Sequence, residues 1–183
     1  MSRVRASHRD AATEYSRFME ARLELIIVQT FPRRPPRVPW VRYAPVFFVT
    51  FCTYRRRQLL AAKKVHDAFV SFCERAAQSH NIAIGRYVIM PDHIHLFVCG
   101  DLQFHLGKWI KSLKQVLGKS ISKDVKQNRL WQEGFFDHVL RNDESMAQKW
   151  DYIKENPVRA GLVADSADWS YQGEIVLIDR ARL

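Results

Sequence analysis

Two histidines one residue apart, His93 and His95, carry the clearest chemical signal in this 183-residue chain. The apolar residues around them are typical of a β-strand, in which alternate side chains project from the same face. Both imidazoles would then leave one face of a sheet and could reach a single cation. The alternative is a pair of hydrogen-bonded or exposed histidines that bind nothing. The apolar run at residues 96–98 favours a buried strand, where both histidines need polar partners.

A tyrosine and an asparagine four residues apart, Tyr152 and Asn156, form the second candidate group. On a helix this spacing places both side chains on one face, one turn apart. Pro157 predicts that Asn156 leaves the helical conformation and that the helix ends there. The alternative is that Tyr152 packs and Asn156 caps the helix C-terminus. A third stretch, residues 136–142, alternates polar groups along a strand and either supports the site or forms strand-edge salt bridges.

The hydrophobic pattern predicts the elements that would hold these side chains. Four segments rich in β-branched and aromatic residues predict strands, at residues 45–53, 82–90, 93–99 and 131–140. Apolar residues at helical spacing predict helices at residues 64–79 and 106–121, and a last helix carries Tyr152. The order β-α-β-β-α-β predicts an α+β, ferredoxin-like fold: a four-stranded antiparallel sheet with two helices on one face, plus the extra tyrosine helix. Further on, the pattern suggests only a short strand at residues 175–178.

The charge of the chain indicates an anionic partner. Lys and Arg number 29 against 19 Asp and Glu, which leaves a net charge of +10. No basic amphipathic anchor or lipidation motif accompanies this charge, so nucleic acid is favoured over membrane. No apolar run approaches the roughly 20 residues of a membrane helix. Two basic blocks, residues 33–57 and 108–129, resemble a binding footprint, although a solvated basic face is the alternative. The candidate DNA-binding residues are Arg55, Arg56, Arg57, Lys108, Lys111, Lys119 and Arg141.

Other familiar sites are not supported. The three cysteines are widely spaced, which favours neither a disulfide framework nor a zinc cluster. Residues 118–120, Gly-Lys-Ser, lack the earlier glycine of a phosphate-binding loop and lie inside a helical pattern, so no nucleotide cofactor is expected.

Taken together, three motifs resemble the single-tyrosine HUH transposases, and most closely the REP-associated tyrosine transposases. The motifs are residues 90–96 (MPDHIHL), 137–142 (DHVLRN) and 152–162 (YIKENPVRAGL). The resemblance extends over residues 43–163, which it defines as the transposase domain. Residues 1–42, a basic Arg/Pro-rich N-terminal extension, and residues 164–183, a C-terminal tail, match nothing in the family pattern.

The resemblance implies a site and a reaction. His93 and His95 would be metal ligands, Asn156 a third ligand, and Tyr152 the catalytic nucleophile. The cofactor would be a divalent metal, Mg²⁺ or Mn²⁺, and the partner single-stranded or hairpin DNA. Cleavage and strand transfer would pass through a covalent 5′-phosphotyrosine. We further expect a bacterial cytoplasmic protein without membrane contact, as a monomer or homodimer.

Two alternatives remain open at this point. One is a domesticated, non-catalytic, sequence-specific DNA-binding protein, against which the intact His93, His95 and Tyr152 argue. The other is a metal-dependent hydrolase that uses water, in which Tyr152 is structural.

Overall fold

The computed structural model describes residues 45–101, 103–121, 129–140 and 146–178. The strands are β1 (Val46–Cys52), β2 (Ile82–Ile89), β3 (His93–Gly100), β4 (Phe136–Leu140) and β5 (Gln172–Glu174). The helices are α1 (Lys63–Ser79), α2 (Leu106–Ser120), α3 (Met146–Lys154) and α4 (Asn156–Arg159). Two short 3₁₀ turns lie at Tyr54–Arg56 and Ser166–Asp168. The predicted N-terminal extension and Arg141 lie outside the described residues.

The strands form one sheet in the order β4-β1-β3-β2-β5, with antiparallel neighbours throughout. The predicted mixed α and β class is confirmed, and so is the element order from β1 to β4. The predicted strand number was wrong, because β5 adds a fifth strand to the edge of β2. The sequence Gln-Gly-Glu lacks the residue pattern of a strand, and these three residues are extended because their main chain pairs with β2. The expected strand at residues 175–178 is thus displaced.

Each face of the sheet is covered by a different set of elements. Helices α1 and α2 pack on one face, where Phe69 and Leu113 are fully buried against sheet residues such as Leu96. The opposite face is covered by α3 and by the chain after α4, through Ile153 and Val176. Burial of one such large side chain contributes about 1.5–3 kcal/mol. The face opposite α1 and α2 is therefore the one that carries the tyrosine helix.

Strand β4 is shorter than the predicted segment 131–140. Trp131 makes only an isolated bridge to Thr53, and Gly134 has a φ of +68°, a left-handed conformation that interrupts a strand. The Lys114 ammonium donates to the carbonyl oxygens of Gln132 and Gly134, at 3.3 Å and 2.6 Å. These bonds hold residues 132–134 in a turn, so regular pairing begins at Phe136.

The predicted helix end was also wrong. Helix α3 ends at Lys154, Glu155 forms a turn, and α4 begins at Asn156. Pro157 lies in the first turn of α4, where its missing N–H is not needed, so it begins a helix instead of stopping one. Tyr152 and Asn156 consequently belong to two helices and do not share a face of one. No helix within the described ranges is long and apolar enough to cross a membrane.

Candidate active site

The two histidines lie at the start of β3, on the sheet face that carries α3. Ile94, between them, is fully buried in the core beneath α1 and α2, so the alternation of the strand sends both imidazoles to the other side. The two rings meet edge to face, with centroids 4.7 Å apart. The expected common face of His93 and His95 is therefore present.

His93 is oriented by its neighbour in sequence. Its Nδ1 lies 2.6 Å from Oδ1 of Asp92, whose other oxygen pairs with Nε of Arg56 at 2.7 Å. A carboxylate accepts hydrogen bonds, so Nδ1 carries the proton and Nε2 keeps its lone pair for another group. Burial lowers the pKa of His93, although hydrogen bonding to Asp92 opposes this shift.

His95 is held by β1, the neighbouring strand. Its Nδ1 lies 2.7 Å from Oγ1 of Thr50, and its ring stacks on Phe48 at 5.6 Å with an interplanar angle of 15°. Burial, with the nearby His93 next in importance, lowers the pKa of His95 to about 3. His95 is therefore neutral near pH 7, which is the form that binds metals.

Tyr152 and His95 line the same cavity, which measures about 420 Å³. Its other lining residues are Phe48, Phe136, Gln148, Lys149 and Ile153. The Tyr152 side chain is exposed, whereas the next residue, Ile153, is 1% exposed and anchors α3 to the sheet. The helix is fixed by its buried side and presents the phenol at the mouth of the cavity.

Arg159 connects Tyr152 to Asn156. Its Nη2 donates to the Tyr152 carbonyl oxygen at 2.6 Å and also to Oδ1 of Asn156. Its guanidinium carbon lies 4.3 Å from the centre of the Tyr152 ring, a cation–π contact. Sequence reasoning gave Arg159 no role, although its spacing of three residues from Asn156 is that of neighbours on a helix surface.

The donor atoms partly fit a divalent cation. Both histidines place Nδ1 against an oxygen partner, and in the tautomer whose Nδ1–H donates to that oxygen, Nε2 has the lone pair that a shared metal ion needs. Within the ranges the structure describes, no group of three or more His, Cys, Asp and Glu side chains is arranged to hold a metal. Asn156, the expected third ligand, does not line the cavity of Tyr152 and His95, and its Oδ1 accepts a hydrogen bond from Arg159. It would have to leave Arg159 to bind a metal.

The arginines after β1 have separate surroundings. Arg55 is exposed and its guanidinium lies 5.3 Å from the Tyr54 ring, and Arg57 donates to the carbonyl oxygens of Tyr54 and Arg129. Arg56 lies at the site itself. It forms an ion pair with Asp92, and its Nη2 lies 3.4 Å from Nδ1 of His93. Arg55 and Arg56 have φ values of 54° and 56°. Non-glycine residues in this region are strained by about 1 kcal/mol or more each, which is common at functional sites.

The predicted lysines do not join this site. Lys108, Lys111 and Lys119 are exposed on α2, which packs on the opposite face of the sheet. Lys111 lines a second cavity of about 500 Å³, between α2 and the turn before β4. This cavity is the larger one, but it contains neither histidine nor Tyr152. We therefore place the candidate chemistry in the smaller cavity.

Sequence reasoning missed four further residues of this site: Phe48, Thr50, Gln148 and Lys149. It included Phe136 only within the stretch 136–142, whose polar groups were the candidates. In the strand register, Thr50 is opposite His95 on one side and Phe136 on the other. Strand alternation gives the face of each residue, but only the register gives its neighbours.

Comparison with known proteins identifies the family. The family model described as "Transposase IS200 like" matches residues 44–156, more than half of the chain. The chain belongs to this family.

Two curated relatives and one solved structure resemble this chain. A Haemophilus influenzae protein named as a candidate REP-associated tyrosine transposase is 34% identical over 94 residues, 45% of this chain and 53% of its own. The chain thus spans about half the length of that relative. The REP-associated tyrosine transposase of Escherichia coli K12 is 28% identical over 130 residues, 68% of this chain and 73% of its own. A REP-associated tyrosine transposase bound to a REP hairpin has a TM-score of 0.58 at 21% identity, over 79% of this chain and 82% of that one. This structural likeness supports the fold.

Proposed function

We propose that this transposase cleaves and rejoins single-stranded DNA at a hairpin, with Tyr152 as its nucleophile. The observation that carries the proposal is the shared cavity of Tyr152 and His95, with His93 in edge-to-face contact with His95. A phenol hydroxyl and a neutral imidazole at one opening, with a second imidazole in contact with the first, are what a metal-assisted phosphoryl transfer needs.

The Tyr152 phenol oxygen would attack the phosphorus of the scissile phosphodiester. A tyrosine-oxygen–phosphorus bond forms, the bond from phosphorus to the 3′-oxygen breaks, and the phenol proton is lost while the 3′-oxygen leaves as a hydroxyl. The product is a 5′-phosphotyrosine, which conserves the energy of the diester. A second 3′-hydroxyl reverses the step and joins new ends, which makes the enzyme a strand transferase.

His93, His95 and, once released from Arg159, Asn156 would hold a divalent cation, Mg²⁺ or Mn²⁺. Such a cation polarises the scissile phosphate and neutralises charge on the leaving oxygen. Asp92 and Thr50 bind the Nδ1 atoms of His93 and His95, so the Nε2 atom of each ring points away from that partner. The Arg159 guanidinium holds the Tyr152 ring, which restricts the rotamers that the nucleophile samples.

Hairpin DNA is proposed as the substrate on two grounds. The solved structure with the same fold is described as bound to a REP hairpin. This chain also carries a net charge of +10, which favours a polyanion, and Arg56 brings part of that charge to the site. The exposed lysines of α2 lie on the far face, so they would contact a different part of the DNA.

The test is a denaturing gel of protein incubated with end-labelled hairpin DNA that carries a single-stranded flank, with Mg²⁺ or Mn²⁺. We expect a covalent protein–DNA adduct whose modified peptide contains Tyr152. Tyr152→Phe removes only an exposed hydroxyl, so it should keep the fold and DNA affinity but form no adduct. Tyr171→Phe is the matched control and should cleave normally.

Each alternative function gives a different gel. Free products without an adduct would indicate a hydrolase that uses water. Binding without cleavage in either metal would indicate a non-catalytic DNA-binding protein. An adduct that maps to another tyrosine would refute the role of Tyr152. Tyr87 is a poor candidate, because it is 3% exposed and burial raises its pKa.

A further inference from the structure

Phe136 is a large aromatic side chain that is exposed to solvent beside the candidate site. It begins β4 and is 60% exposed. Phe136 is opposite Thr50, which on its other side is opposite His95. Directly paired residues of an antiparallel sheet project from the same face, so the three side chains form a row across the sheet. With strands about 4.8 Å apart, the row spans about 10 Å.

Phe136 also lines the cavity of Tyr152 and His95. The same cavity contains the side chain of Lys149, whose ammonium lies 5.7 Å from the centre of the Phe48 ring, and the amide of Gln148. Its volume of about 420 Å³ is within the range of about 300–1,000 Å³ that is usual for small-ligand pockets.

These groups match the parts of an unpaired nucleotide. An exposed aromatic ring offers a stacking surface to a flat base, a cation offers a partner to a phosphate, and an amide can hydrogen-bond a base edge. A base inside a duplex has both faces covered by its neighbours, so it cannot stack on a protein ring. The cavity therefore favours single-stranded over paired DNA.

We propose that this cavity binds one unpaired nucleotide next to the phosphate that Tyr152 attacks, with the base stacked on Phe136 and Lys149 close to the phosphate backbone. The inference rests on the proposed function, because the position of the nucleotide is defined relative to that phosphate. In this inference, Phe136 selects single-stranded DNA and holds the strand in register with Tyr152.

Val139 provides a matched control on the same strand. It is also exposed, at 42%, but it pairs with Phe47, which packs with the core beneath α1 and α2. Val139 thus projects from the other face and does not line the cavity. Val139→Ala removes apolar surface from β4 without changing the proposed stacking surface.

The test is a fluorescence scan with 2-aminopurine placed at each position of the single-stranded flank in turn. The protein carries Tyr152→Phe, so that binding is measured without cleavage. We expect quenching at one position next to the cleavage site, and loss of that quenching when Phe136→Leu is added. Affinity should fall roughly 5- to 150-fold, the range found when one base–aromatic stack is removed. Phe136→Trp should restore both, and Val139→Ala should change neither.

An abasic residue at the quenched position provides a second variant, made on the DNA. It should weaken binding to protein with Phe136, and add little to the effect of Phe136→Leu. If Phe136→Leu matches Val139→Ala in affinity and quenching profile while wild-type protein still forms its adduct, the nucleotide site is refuted and the proposed function stands. If wild-type protein forms no adduct but quenching still depends on Phe136, the proposed function fails. Base stacking on Phe136 then stands, but its position next to a phosphate attacked by Tyr152 is refuted.

Discussion

Protonation of His95 in the unfolded chain should lower the stability of the folded protein as the pH falls below about 6.5. The His95 pKa is lowered to about 3 in the folded state, chiefly by burial, from a usual value of 6.5. Between these two values the unfolded chain binds a proton that the folded protein does not. The stability that neutral His95 contributes is therefore complete above pH 6.5 and is lost as the pH falls from 6.5 towards 3.

The size of the effect follows from the two pKa values. One pKa unit corresponds to about 1.36 kcal/mol. At pH 5 the pH lies about 1.5 units below the pKa of His95 in the unfolded chain and still above its pKa in the folded protein. His95 should therefore cost about 2 kcal/mol of unfolding free energy between pH 7.5 and pH 5. For a small domain this is a large part of the total, which is typically about 5–15 kcal/mol.

Urea unfolding at several pH values from 7.5 to 5, with a chelator present, measures this loss. Wild-type protein is compared with His95→Gln, which cannot titrate, and with His80→Gln, which removes an exposed histidine. The difference between wild type and His95→Gln should change by about 2 kcal/mol over this range. A difference for His95→Gln that is independent of pH would refute the reasoning, since His95 would then titrate alike in both states.

Three further predictions concern the same site. Mn²⁺ at 100 times its dissociation constant should stabilise wild-type protein by about 2.7 kcal/mol. It should not stabilise a variant that carries both His93→Ala and His95→Ala. Thermal unfolding with and without chelator measures both. Thr50→Val removes the hydrogen-bond partner of His95 at nearly constant volume and should weaken Mn²⁺ binding roughly 10- to 100-fold, measured by electron paramagnetic resonance of the free ion. Arg159→Met removes the guanidinium that contacts the Tyr152 ring and should slow adduct formation roughly 10- to 100-fold while DNA affinity changes little. The rate is measured at saturating Mn²⁺, so that release of the Asn156 amide does not add to it. An unchanged rate would show that Arg159 is dispensable for positioning.

Residues that follow from local periodicity were predictable. His93 and His95 share a face because a strand alternates, and the buried Ile94 between them makes that face unambiguous. The helix of Tyr152 was also expected, because a candidate capping residue, Asn142 or Asp143, precedes it in the sequence and Pro157 follows it. In both cases a few neighbouring residues contain all the information that the conformation requires.

The relation between Tyr152 and Asn156 was not predictable in the same way. A proline both ends helices and begins them, and only the turn at Glu155 decides that Pro157 lies in the first turn of α4. Strand β5 was missed for a similar reason, since its pairing with β2 and not its composition makes it a strand. Long-range pairing settles what local propensity leaves undecided.

The pairing of β1 with both β3 and β4 also explains how the candidate site is assembled. Thr50 lies between His95 and Phe136, so one strand orients a histidine and separates it from the aromatic ring by two strand spacings. A shift of β4 by one residue would send Phe136 to the face of α1 and α2 and bring Asp137 to the cavity. Its carboxylate would then repel a phosphate. Lys114 holds the turn before β4 from helix α2, on the opposite side of the sheet from the site. By fixing where β4 begins, this turn helps to decide which residue of β4 would meet the DNA.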